Sequence, residues 1–171
     1  MITIPNSVYN YQKKLKDMKT LNTLLLLTLI IMPGCAKTNK VDNSHEKEQI
    51  NENCLNWIKA AERGNVDDYF NYITDDFIFL GQGMKSISNR DSLRAFLDKF
   101  FTDYSFSLPT WTTQEIIIRD DIAIHRWSWI AYMKSKSDNT VVEFDRKYLD
   151  VYKKNEKGEW KGYLHSFNTN K

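Results

Sequence analysis

Near residue 110 the apolar residues of this chain change their spacing, and no other feature constrains its fold as strongly. Before that point they recur at three- and four-residue intervals, the period of a helix with one buried face. Ile50, Cys54, Trp57, Ile58 and Ala61 form a first stripe, closed by Gly64-Asn65. Val66, Tyr69, Phe70 and Ile73 form a second, shorter one. Leu93, Phe96, Leu97 and Phe100 form a third, with Ser88 as the expected N-cap and Asp91 three residues on. Between the last two, "DDFIFLGQG" reads as a brief strand entering a turn. Beyond residue 110 the pattern alternates. "TTQEIIIR", "IAIHRWSWIAYMK", "VVEFDRKYLDVYKK" and "EWKGYLHSFNT" read as four long strands, joined by "DD", "SKSDN" and "NEKG". Sequential strands with short connections make an antiparallel meander. Three helices followed by that sheet predict an α+β fold with the helices packed on one face.

The N-terminal part does not belong to this pattern. "LLLLTLIIMPGC", Leu24 to Cys35, is the one strongly apolar run. It is too short for a membrane span, which needs about 20 residues, but it suits the centre of a secretory signal. Lys13, Lys14, Lys16 and Lys19 precede it and Gly34 sits before Cys35. The arrangement resembles a bacterial lipoprotein signal, with Cys35 as the residue that receives the lipid. Met18 opens a more compact version of the same signal, so translation is expected to start there. Residues 36–48, polar and aperiodic, read as a tether that includes His45. The expected organisation is a signal over 1–34, a tether over 35–48 and one domain over 49–171. The expected location is the cell envelope, on a lipid anchor facing outside the cytoplasm.

Four of the 24 Lys and Arg, and one of the 22 Asp and Glu, lie in residues 1–34. The remainder is left with 20 basic against 21 acidic side chains, which is no electrostatic footprint for nucleic acid. With Cys35 processed, Cys54 has no partner for an internal disulfide and reads as a small buried residue. The histidines show no metal-ligand spacing, and no phosphate loop or nucleophile elbow is present. Neither a metal nor a cofactor is expected.

"ERGNVDDYFNYITDDFIF", "NRDSLRAFL", "DDIAIHRWSW" and "DVYKKNEKGEWKGYLHSFN" occur in an order that resembles the nuclear transport factor 2-like superfamily. Within it the chain is most similar to the SnoaL-like and ketosteroid-isomerase-like proteins. The resemblance implies a cone: a strongly curved antiparallel sheet wrapped around helices, with a pocket inside. It also implies a register against the family's steroid isomerases. Trp57 stands where those enzymes carry a substrate-binding tyrosine, Gly81 where they carry the proton-shuttling aspartate, and Asp150 where they carry a second, hydrogen-bonding aspartate. An isomerase needs a base within reach of the proton it removes. Glycine is no base, so steroid isomerase chemistry is not expected.

The same register, with alternation along each strand, turns His125, Trp127 and Trp129 inward on one strand. Arg146, Tyr148 and Asp150 follow on the next, and Lys161, Tyr163, His165 and Phe167 on the last. Trp57 and Phe96 would close the pocket from the helices. Such an aromatic lining with a few polar groups suits a small apolar or aromatic ligand, and it equally suits a filled core. Asp150 reads either as a desolvated acid or as a carboxylate paired with Arg146, Lys153 or Lys161. His125 and His165 read either as acid/base partners of Asp150, as in scytalone-dehydratase-like members, or as structural residues. Arg146 reads either as half of an internal ion pair or as the fork that holds a carboxylate ligand. Ile122, Ile124 and Ile130 make the opposite face of the sheet apolar, which points to a homodimer, as is common in the family. Three functions remain open: a ligand-binding domain, a cofactor-free dehydratase, cyclase or isomerase using Asp150 with His125 or His165, and a dimeric assembly module without ligand.

Overall fold

In the computed structural model, which describes residues 42–170, the alternating half of the chain forms a sheet and the helical half packs on it. Helix α1 spans Ser44–Glu62, α2 Val66–Phe70 and α3 Arg90–Asp103. Strand β1 spans Ile73–Leu80, β2 Tyr104–Arg119, β3 Ile122–Ser135, β4 Val141–Lys154 and β5 Trp160–Thr169. The sheet order is β1-β5-β4-β3-β2. Strands β2 to β5 pair as the expected antiparallel meander, and β1 joins β5 in parallel. The α+β class and the antiparallel meander are as the spacing predicts, and the curved, antiparallel-dominated sheet is as the resemblance implies. The signal over 1–34, Met18, Cys35 and the first part of the tether lie outside the described residues. Among the described residues, no helix is long and apolar enough to cross a membrane.

Three local expectations need correction. The segment taken as tether is already helical from Ser44. Glu46 in its first turn pairs with Lys154 of β4, which ties that turn to the sheet, and His45 on it is exposed. The N-cap of α3 is Asn89 rather than Ser88; its side chain accepts from the backbone N–H of Ser92 at 2.9 Å. Strand β2 starts at Tyr104, earlier than the alternation reveals. Its pairing with β3 shifts between Ser107 and Thr110, around Pro109. A proline donates no ladder bond, and it is tolerated here because β2 is an edge strand.

Two groups of buried side chains hold the layers together. Ile50, Cys54 and Ile58 of α1 pack on Ile116, Ala123, Tyr152 and Trp160 of the sheet. Trp57 and Ala60, on the adjoining face of α1, pack with Tyr69, Phe70, Phe77 and Leu93. Ala60 is thus the buried alanine of the stripe and Ala61 only half-buried. A Cβ on Gly162 would lie 3.2 Å from the Trp57 ring, so the bare backbone of β5 is what lets that indole settle against it.

Candidate functional site

The inner face of the sheet carries the chemistry. Strands β3 and β4 pair without interruption from Ile122–Lys153 to Lys134–Val141. His125, Trp127 and Trp129 therefore stand opposite Asp150, Tyr148 and Arg146. His165 of β5 stands opposite Asp150 on its other side. One rung of the sheet thus reads His125–Asp150–His165.

The three residues of that rung do not share one role. Asp150 is fully buried. Its Oδ2 accepts from the Trp127 indole N–H at 2.7 Å, and its Oδ1 lies 2.8 Å from His165 Nδ1. Neither Arg146 nor a lysine is its partner. Lys153 pairs with Asp76 at 2.9 Å, and Lys161 donates to the Asn71 carbonyl at 2.8 Å. His125 has its Nε2 on the Thr113 hydroxyl at 2.9 Å, and its Nδ1 is buried without a partner. Burial pulls its pKa down from the usual range to about 4, against an opposing pull from Asp150, so the ring is neutral near pH 7. His125, Asp150 and Cys54 offer atoms within 4.8 Å of one another. Both oxygens of Asp150 are already engaged, and burial pushes the Cys54 thiol far above its usual pKa.

Beside this rung lies a cavity of about 340 Å³, near the small end of ligand-binding cavities. Trp57, Phe96, Trp127, Trp129, Arg146, Tyr148, His165 and Phe167 line it. The three tryptophans wall it without filling it. Trp127 stacks on Tyr148 with ring centroids 4.0 Å apart. Burial pushes the Tyr148 phenol up to about 12, against the pull of the Arg146 guanidinium beside it. Asp150 and His125 do not line the cavity; His165 connects the first of them to it.

Tyr163 and Lys161 are not at the site. Val151 pairs with Leu164, but Tyr152 pairs with Gly162. The bulge at Tyr163 reverses the alternation, so Gly162 faces the core and Tyr163 lies under Lys153 on the opposite face, 3.2 Å from the ring centroid to Nζ. Reasoning from the sequence missed Phe100 of α3 and Phe144 of β4, which also wall the cavity. By its spacing Phe100 reads as core, and Phe144 keeps the inward parity of Arg146, two residues on, which is the available signal. Gly81 is buried, and a Cβ there would lie 2.4 Å from Met84 Sδ. Met84, on the cavity wall, fills the space that a longer side chain would need.

A family model described as "SnoaL-like domain" matches residues 55–163. No curated protein matches the chain. Among solved structures, the chain is similar to a ketosteroid isomerase-like protein from Erwinia carotovora atroseptica, with a TM-score of 0.66 at 18% identity, over 72% of this chain and 95% of that one. It is similar to a conserved protein from Planctomyces limnophilus, with a TM-score of 0.66 at 18% identity, over 72% and 94% of the two chains. A nuclear transport factor 2-like superfamily protein from Salmonella enterica gives a TM-score of 0.65 at 10% identity, over 74% and 92%. At these identities the likeness establishes the fold.

Proposed function

The chain belongs to the SnoaL-like domain family, and from that premise we propose that it is a small-molecule-binding domain held at the cell envelope by a lipid on Cys35. The observation that carries the binding reading is the cavity, with aromatic walls and a few polar groups set among them. The lipid anchor rests on the apolar run that ends at Cys35. To test binding, the melting temperature of the full chain is followed against hydrophobic acids, steroids and polyketide-like aromatics. A ligand at a hundred times its Kd stabilises by about 2.7 kcal/mol, a readily measured rise. Silence across the whole panel contradicts the reading. Lipid labelling that survives Cys35→Ser contradicts the anchor.

A second reading has its own observation. His165 lines the cavity, and its Nδ1 is held by a buried carboxylate at 2.8 Å. A carboxylate on one ring nitrogen orients an imidazole and leaves the other for proton exchange with a bound molecule. That is the arrangement of a cofactor-free dehydratase, cyclase or isomerase, with His165 as acid/base and Asp150 as its positioning residue. His125, which does not line the cavity, is not assigned that role. Turnover of any identified substrate that is unchanged in Asp150→Asn contradicts this reading.

The outer face supports a homodimer. Ile117, Ile124, Ile130 and Leu149 are each between 36% and 48% exposed on the solvent side of the sheet, an apolar surface of the kind that marks protein contact. Sedimentation of the full chain in detergent, before and after Ile124→Asp, reports whether the face associates.

A further inference from the structure

Arg146 is the one permanently charged side chain on the cavity wall, and no Asp or Glu lines that wall. Among the described residues, no carboxylate lies within ion-pair distance of it. Its guanidinium carbon lies 4.2 Å from the Phe144 ring centroid and 4.6 Å from that of Phe167. These contacts occupy the faces of the planar group; in its plane the Tyr148 phenol is a neutral hydrogen-bond neighbour, and no carboxylate takes the N–H donors. Its Nε is buried without a partner. Its cross-strand neighbour Trp129 carries a second buried N–H without a partner. A partly buried cation with no counter-charge is an incomplete site, because removing charge from water is costly unless it is paired.

We propose that the cavity takes a small aromatic monocarboxylic acid, with its carboxylate on the fork of Arg146 and its apolar body among the rings. This inference rests on the binding reading above and names its ligand class. The fork matches a carboxylate through two parallel hydrogen bonds. A phosphate dianion would call for further cations, and the cavity wall has none. The body is aromatic because the rings of Tyr148, Phe167 and Trp127 form the wall between Arg146 and His165. Ring centroids of Tyr148 and Phe167 are 5.7 Å apart, and those of Tyr148 and His165 are 5.4 Å apart. The guanidinium carbon lies 4.6 Å from the Phe167 centroid and that centroid 5.5 Å from the His165 ring, so a one-ring acid anchored at Arg146 ends near His165.

The test titrates the full chain with cinnamate and with cinnamamide, which share a shape and differ in charge, by calorimetry. Wild type is expected to bind cinnamate at least about tenfold more tightly than the amide, as a charge-assisted bidentate contact implies. Arg146→Gln is expected to erase that preference, and Arg146→Lys to retain part of it. Circular dichroism and the melting temperature establish that each variant is folded. Should Arg146→Gln not fold, the acid–amide ratio in wild type decides by itself. Equal affinities overturn the carboxylate inference and leave the binding reading standing. Binding of neither probe also overturns the inference, whereas the binding reading falls only if the wider panel is silent too.

Discussion

At its His125 end the inner face of β3 and β4 is sealed, and at its Arg146 end it opens on a cavity, although the two strands pair in one unbroken register. The difference comes from what lies opposite. At the sealed end, α1 presents Ile50 and Cys54, both fully buried, against Ala123, Tyr152 and Trp160. A branched aliphatic chain and a thiol fill the gaps between large rings. At the open end, the facing side chains include Phe96 and Phe100 of α3, which are only partly buried. Their rings stack on each other, with centroids 6.1 Å apart, and leave the space in front of the sheet open. Strand register decides which residues face inward, and the helices decide whether they become core or cavity.

Mutations should separate the two ends, and the largest effect belongs at their junction. Trp127 is 2% exposed and donates to Asp150. Trp127→Ala removes a buried ring and strands a buried carboxylate oxygen, so a loss of about 4 kcal/mol is expected in urea denaturation. Trp127→Phe, which keeps a ring and removes the donor, is expected to cost about 2 kcal/mol. Equal losses would mean that the hydrogen bond to Asp150 alone holds this position.

Acid should weaken the sealed end next. An unfolded histidine titrates near its ordinary value of about 6.5, whereas buried His125 titrates at about 4. The folded value is the lower, so the unfolded chain takes up the proton first. Stability is full above pH 6.5 or so and is lost as pH falls toward about 4, by on the order of 3 kcal/mol. In His125→Gln that stretch of the stability–pH curve should be flatter than in wild type. Parallel curves would show that His125 takes up its proton as readily in the folded protein as in the unfolded chain.

Arg146 should give the smallest effect on stability. Breaking a buried ion pair costs about 3–5 kcal/mol, but Arg146 has no acidic partner among the described residues. Arg146→Met is therefore expected to change stability by less than about 1 kcal/mol, measured by urea denaturation without ligand. A loss of several kcal/mol would restore the ion pair that the spacing of Arg146 and Asp150 suggests.

That spacing shows where reading the sequence stops. The alternation in β3 and β4 is long and unbroken, so His125, Trp127, Trp129, Arg146, Tyr148 and Asp150 could all be assigned inward from the sequence. Which of them pair could not. An interval of four makes neighbours on a helix but leaves residues about 13 Å apart on a strand. The partners of Asp150 are instead on neighbouring strands, Trp127 on β3 and His165 on β5, and only the assembled sheet brings them together. Tyr163 was misassigned because its bulge sits beside Gly162, which has no side chain to register the change of phase. Ser88 and Asn89 are both good caps in adjacent positions, and the choice between them depends on where the helix axis starts.

The most direct test of the two-ended sheet uses the five tryptophans of the chain as reporters. Trp57, Trp127 and Trp129 wall the cavity, and Trp111 and Trp160 lie outside its lining. Indole N–H resonances of the full chain, assigned with single Trp→Phe variants, are followed by NMR while cinnamate is added. The account predicts that Trp57, Trp127 and Trp129 shift in a saturable way and that Trp111 and Trp160 stay in place. Saturable shifts confined to Trp111 and Trp160, or no saturable shift at any of the five, would contradict it.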